Sequence, residues 1–248
     1  MKKLILSAAV LAMVFVGCKK EETKPSDSST SSSSSSSTPK ISKETTYMYY
    51  DSIITDTSIT LYTYDSKGRL VSQINGDFTM KYSYTSANLI SSTFIIKDID
   101  TVENYKFNYI LDSKGKAIKS YQVGKIDTFQ INYSADGYSL GSSSSNSQFE
   151  VVGENVVKKD GYTYEYYLDK INVLSNANRG IYFMGKDSKN LVKSQKSVDG
   201  GTSTMSPTTQ YTYEFDSKNR VIKSTRNTVT TNGLSGPGKS ITKYEYIN

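Results

Sequence analysis

The chain contains no histidine and no tryptophan, and its one cysteine, Cys18, stands near the start. Lack of histidine excludes Ser-His-Asp triads, imidazole proton shuttles and metal cages built on imidazole. A lone cysteine excludes a disulfide within the chain. Apolar runs are scarce as well. Residues 4–16 are apolar apart from Ser7, and that run falls short of the ~20 residues an α-helical span needs. Charge of one sign is also lacking: the formal net charge is +6, with Lys2 and Lys3 supplying two of those units. The cations form no basic block, which argues against nucleic acid as a partner. Aromatic residues make up 12% of the chain, enough to build a core and to argue against wholesale disorder.

What is present at the start reads as an address. Lys2 and Lys3 precede the apolar run as a basic region of a signal peptide. The run ends in Phe15-Val16-Gly17-Cys18, which resembles a bacterial lipobox cleaved between Gly17 and Cys18. The resemblance implies a signal peptide over 1–17 and a lipidated Cys18, with no free thiol left for redox or catalytic work. One acyl chain binds a membrane only marginally, whereas the three chains implied by the resemblance make a stable anchor. The membrane, reached through Cys18, is therefore the first expected partner. Lys19, Lys20, Glu21 and Glu22 follow directly. They resemble the acidic export signals of surface lipoproteins in Bacteroidetes-type bacteria, and they read equally well as a solvated charge cluster. The expected location is the cell envelope, on the outer membrane, with the export signal implying an outward face.

Residues 18–40 comprise the lipidated cysteine and a linker. From 23 to 40 the chain is dominated by Ser and Thr, with unbroken serine over 31–37 and Pro25 and Pro39 near the ends. No apolar side chain is available to dock on a core, so the segment is expected to stay flexible, with a reach of roughly 25 Å. The remainder, 41–248, reads as a single β-domain.

That domain is built from a repeat. Tyrosine is over-used, 21 copies against 8 phenylalanines, because one phrase keeps returning. Its fullest form is Tyr62-T-Tyr64-Asp65-S-K-Gly68-Arg69-Leu70. Phe107-N-Tyr109-I-L-Asp112-S-K-Gly115, Tyr211-T-Tyr213-E-F-Asp216-S-K-Asn219-Arg220 and Tyr182-F-M-G-K-Asp187-S-K-Asn190 follow the same plan. Weaker copies start at Tyr82, Ile131 and Tyr164, and Tyr244-E-Tyr246 opens one more. Aromatic–polar–aromatic alternation has the period of a strand. Asp65, Asp112, Asp187 and Asp216 are placed to bond a turn's own backbone. Gly68, Gly115, Asn190 and Asn219 supply the left-handed position of a bulged hairpin.

The expected fold is all-β: an antiparallel up-and-down meander of hairpins, curled into a barrel-like or open porin-like sheet. Its arms read as shorter than the ~9–11 residues of a transmembrane strand, so the domain is expected to hang from its lipid rather than insert. Turns inside the phrase are short and constant, while connections at 141–147, 199–207 and 232–239 are long and variable. In a meander these two sets lie at opposite ends, and a localised function more often sits on the variable one.

The copy at Tyr62–Leu70 resembles a YD repeat of Rhs-type shells. The whole plan of lipobox, serine-rich linker and spaced Y-x-Y-D-S-x-G-R phrases resembles a domain-of-unknown-function family of Bacteroidetes lipoproteins described as having a porin-like fold. The resemblance covers roughly 45–248 and implies a fold and a location, with no chemistry attached.

Without histidine or a free thiol, an enzyme would rest on carboxylates. Glu165, Glu214 and Glu245 each stand at the centre of a Y-E-[YF] triplet, so they face away from the flanking aromatics. A glycoside hydrolase would use such carboxylates; a repeated solvent face explains them more simply. The turn aspartates supply one carboxylate each, whereas Ca²⁺ takes six to eight oxygens. Neither a metal nor a cofactor is expected. The tyrosines read mainly as core, with Tyr121 and Tyr138, outside the phrase, as candidates for stacking on sugar. The leading reading is a non-catalytic binding module for glycan or an envelope protein. A structural or envelope-assembly role is the alternative, and a carboxylate hydrolase the second.

Overall fold

The computed structural model describes residues 39–97, 101–141, 149–198, 207–229 and 238–247. Gly17, Cys18, Lys19, Lys20, Glu21 and Glu22 lie outside the described residues, as does most of each long connection.

Alternating Tyr, Thr and Ile give long strands joined by tight turns. β1 (Ile41–Tyr50) passes through Asp51 and Ser52 into β2 (Ile53–Tyr64). Both turn residues have positive φ, as in the two-residue turn whose twist matches that of paired strands. The meander continues through β3 (Leu70–Asn75), β4 (Phe78–Ser86), β5 (Leu89–Lys97), β6 (Val102–Leu111), β7 (Ala117–Gln122) and the short β8 (Thr128–Gln130). β9 (Asn132–Tyr133) and β10 (Ser139–Gly141) make a small separate hairpin. It resumes with β11 (Glu150–Val152), β12 (Asn155–Lys159) and β13 (Tyr162–Ile171). β14 (Asn190–Ser197), β15 (Thr208–Phe215), β16 (Val221–Val229) and β17 (Gly238–Tyr246) complete it. Because β17 pairs with β1, the two halves of the chain join in one fifteen-stranded sheet that runs from β11 to β17 and on from β1 to β8. The sheet is antiparallel and stays open, with β8 and β11 as its edges.

The repeated phrase has a local logic. At three turns the aspartate accepts the N–H groups of the residues two and four positions on, at 2.8–2.9 Å. These are Asp65, Asp112 and Asp216. The fourth turn residue is left-handed, with φ of 72° at Gly68, 78° at Gly115 and 57° at Asn219, which restricts it to Gly or Asn. The fifth is a cation. Arg69 and Arg220 each donate to their own turn aspartate at 2.7 Å. Each also lies over a tyrosine of the next outgoing strand, Tyr84 or Tyr246, at 4.1 and 4.7 Å from the ring centre.

The second tyrosine of the phrase has its own task. Bulges just before the turns break the ladder, for example between Thr63 and Tyr64, and leave backbone carbonyls to be paired. Tyr64 donates its hydroxyl to the Ile41 carbonyl at 2.9 Å and Tyr84 to that of Leu70 at 2.8 Å. Tyr213 and Tyr246 do the same for Val192 and Val221. Burial pushes the Tyr64 and Tyr246 hydroxyls up to about 12. Phenylalanine would fill the space but orphan the carbonyl. Tyr84→Phe should therefore cost about 1 kcal/mol in urea unfolding; unchanged stability would remove this account of the phrase.

The plan breaks between β13 and β14. Tyr182-F-M-G-K-Asp187-S-K-Asn190 is not a hairpin, because β13 pairs directly with β14, from Tyr162↔Ser197 to Ile171↔Asn190. Residues 172–189 are left without a partner strand and fold onto one face of the sheet as a plug. Tyr182–Met184 is a 3-10 turn. It inserts Phe183, 1% exposed, among Ile90, Leu111 and Ala117, with the Tyr82 and Tyr109 rings 6.0 and 5.3 Å away. Leu174 and Ile181 of the plug pack on a second cluster, Ile41, Tyr62 and Leu70. Gly180 has φ of 76° and accepts the Leu70 N–H at 3.2 Å. A Cβ there would meet the Leu70 nitrogen at 2.7 Å, so no larger residue fits without displacing the strand. Asp187 and Asn190, expected to cap and close a turn, do neither. Asp187 accepts the N–H and side-chain amide of Asn176 within the plug, and Asn190 is a buried residue of β14.

Eight strands reach nine residues or more, which corrects the expectation of arms too short to span a bilayer. The face turned away from the plug carries a different signature. Lys43 pairs with Glu245 at 2.7 Å and Lys223 with Glu214 at 2.6 Å. Lys243 and Lys239 lie over the rings of Tyr47 and Tyr49. A lipid-facing strand surface is an apolar band; this one is laced with charge. Among the described residues no helix is long and apolar enough to cross a membrane.

Candidate functional site

A concave and chemically mixed surface lies at the open seam between β8 and β11. The β9–β10 hairpin and the plug fasten it. On one side Ile131 donates its N–H to Ile118, and the Tyr133 hydroxyl donates to the carbonyls of Ala117 and Phe183. On the other, the Tyr138 hydroxyl donates to the Glu154 carbonyl at 2.7 Å and Lys159 Nζ to the Ser139 carbonyl at 3.2 Å. Lys186 of the plug donates its N–H to Gly137. Between these fastenings lies a cleft of about 390 Å³, lined by Tyr138, Phe149, Lys159, Tyr164, Tyr166, Asn172, Asn176, Lys186, Asp187 and Ser188.

A clasp of two amides joins the strands that flank it. Asn155 of β12 and Asn190 of β14 exchange hydrogen bonds at 2.9 Å, and Asn190 also donates to the Leu168 and Lys170 carbonyls. β13 bulges near this point, so the side chains supply the bonds that the ladder lacks. One wall is Tyr166, whose hydroxyl donates to the Val156 carbonyl at 2.6 Å and accepts from Ser188 Oγ at 2.9 Å. Burial raises the Tyr166 and Tyr164 hydroxyls above their ordinary value. The opposite wall is Tyr138 and Phe149, with ring centres 6.3 Å apart. Lys186 Nζ lies 5.9 Å from the centre of the Tyr138 ring.

Asp187 is the carboxylate of this cleft. Burial pushes it above the usual carboxylate range, against the Asn176 N–H and the attraction of Arg179 and Lys159. Both its oxygens are held by Asn176, which makes it the clasp that shapes the plug. Among the described residues neither Lys159 nor Lys186 belongs to an ion pair. The cleft thus offers ammonium groups, amides and aromatic faces around a committed acid. Among the described residues no three Asp, Glu, His or Cys side chains converge to hold a metal ion.

The carboxylates singled out in the sequence are elsewhere. Glu165, Glu214 and Glu245 stand on the face away from the plug, on β13, β15 and β17. Each is held by a cross-strand neighbour: Ser194 Oγ at 3.1 Å, Lys223 and Lys43. Tyr138 is 3% exposed, too buried to act as a stacking platform, because the seam closes over it. Tyr121 is half-buried and its hydroxyl accepts from Asn108 Nδ2. Arg179, Gly180 and Phe183, which set the cleft by anchoring the plug, carry one legible signal. Tyr182-F-M-G lacks the aromatic–polar–aromatic alternation and follows the turn-rich Asn176-A-Asn178-Arg179-Gly180.

Among solved structures the chain is similar to a porin-like protein from Bacteroides uniformis, at 18% identity and a TM-score of 0.43, over 84% of this chain and 96% of that one. No protein-family model and no curated protein matches it.

Proposed function

We propose that the chain is an envelope lipoprotein, anchored to the outer membrane through Cys18, whose β-domain binds glycan without catalysis in the seam cleft. The observation that carries this reading is the lining: the half-buried rings of Phe149, Tyr164 and Tyr166 for the apolar faces of a sugar, amides of Asn172 and Asn176 for its hydroxyls, and Lys159 and Lys186 beside them. Catalysis on a glycoside uses two working carboxylates, and the one acid of this cleft is occupied by Asn176. The charged outer face of the sheet supports tethering over insertion.

A panel of neutral, amino and acidic oligosaccharides should yield a ligand measurable by calorimetry on the purified full chain. Tyr164→Ala and Lys186→Ala should each weaken that ligand about tenfold, one contact's worth, with the thermal midpoint unchanged in the exposed Lys186 variant. Ligands that bind both variants as tightly as the parent would place the site elsewhere, and a silent panel would end the glycan reading.

A further inference from the structure

We propose that the end of the β-domain formed by the D-S-K turns docks on an anionic lipid surface, with Lys67, Lys114 and Lys218 set against headgroup phosphates. The geometry of the turn exposes these lysines. Each turn aspartate binds the backbone N–H groups of the third and fifth turn residues, which leaves the Ser-Lys pair at the tip. Lys67, Lys114 and Lys218 are all exposed, and among the described residues none is in an ion pair. Asp65 and Asp216 are already neutralised by Arg69 and Arg220, so each of those turns presents an unbalanced lysine.

The tether starts at the same end. Pro39 lines a cleft with Lys218 and Arg220, and Lys40 Nζ bonds the Ala177 carbonyl of the plug. Among the described residues, the two-residue turns of the opposite end carry Asp51, Asp77 and Asp160, all exposed, and its longer turn carries Lys125 and Asp127. The three D-S-K lysine tips thus share the end at which the tether starts, and the two-residue turns with aspartate tips lie at the other. A lysine near an anionic bilayer raises partitioning roughly fivefold, so three tips together supply about a hundredfold at low salt. The orientation rests on the lipid-anchor reading of Cys18.

The test uses the lipidated full chain reconstituted in vesicles of phosphatidylcholine alone or mixed with phosphatidylglycerol, followed by lysine acetylation and mass spectrometry. Labelling of Lys67, Lys114 and Lys218 should fall several-fold in the anionic vesicles and recover in high salt. Lys125 and Lys196, exposed toward the far end, should label equally in both. Equal labelling of the tip lysines in the two vesicle types overturns the proposal. Flotation with pure phosphatidylcholine vesicles reads the anchor separately. A chain that floats only with anionic vesicles, with its tips protected, has lost the anchor reading and kept the docking. A chain that floats with neither has lost both.

Discussion

Replacing Phe183 by alanine should destabilise the domain by about 3–5 kcal/mol, the range for deleting a buried aromatic side chain and leaving its cavity. Phe183 is 1% exposed and is the plug's deepest insertion, packed on Ile90, Leu111 and Ala117 and on the rings of Tyr82 and Tyr109. For a domain of this size such a loss lowers the thermal midpoint by roughly 10 °C. The effect should extend beyond stability. With its anchor gone, the plug opens more often than the sheet unfolds, and protease should cut first within 172–189. Ligand binding in the seam cleft should fall in parallel, because Asn172, Asn176, Lys186 and Asp187 belong to the plug. Phe183→Leu, which keeps most of the volume, should lose far less. A loss below about 1 kcal/mol for the alanine variant would mean that the plug does not hold the sheet.

The second large effect comes from the pair that fixes the plug to β1. Arg179 Nη2 lies 2.7 Å from Glu44 Oε1, with Glu44 14% exposed and Arg179 29%. Burial raises the Glu44 carboxyl above its ordinary value, and Arg179 and the Tyr62 hydroxyl offset only part of that. The folded state therefore binds this proton more tightly than the unfolded chain does. Its contribution to stability is full below the ordinary carboxylate pKa and is lost as pH rises through the raised one. The turn aspartates run the other way. Asp112 and Asp216 are held below their usual range chiefly by backbone N–H groups. Their contribution is present above the unfolded pKa and is lost as pH falls through the folded one.

In Arg179→Met the attraction is removed and the burial remains, so Glu44 should rise further. The variant should be close to the parent at pH 4 and less stable by about 2–3 kcal/mol at pH 8, below the full cost of breaking a buried pair because Arg179 is partly exposed. Urea unfolding at the two pH values reads the difference. Adding Glu44→Gln should flatten the pH dependence. A deficit that is equal at both pH values would assign the Arg179 effect to packing and remove the charge argument.

The weaker copies of the repeat show what kind of information the phrase carries. Tyr84 has lost the D-x-x-G turn that follows the full copies, yet it keeps the hydroxyl bond to Leu70 and lies under Arg69. The tyrosine and the cation are read from neighbouring hairpins, so they survive when a turn changes. The copy at Tyr182 shows the converse. Its Asp187-S-K-Asn190 matches the turn sequence, but Tyr182-F-M lacks the strand that would feed it. The lysines at the turn tips were legible as turn residues; that they gather at one end of the strands, the end of Pro39, became visible only once strand direction was fixed.

The sequence by itself determined the hairpin, its turn chemistry and the all-β meander, because those depend on residues within about five positions or on adjacent strands. Asp65 and Arg69, or Asp216 and Arg220, find each other wherever the hairpin sits. Tertiary structure decided the plug, the open seam and the cleft. The pairing of β13 with β14 excludes 172–189 from the ladder, and the contacts that then capture this segment are remote in sequence: Phe183 with Tyr82, Arg179 with Glu44, Lys186 with Gly137. A local phrase cannot specify which strand its neighbour will take as a partner. In this chain that choice turns one copy of the repeat from a hairpin into the piece that fills the face of the sheet.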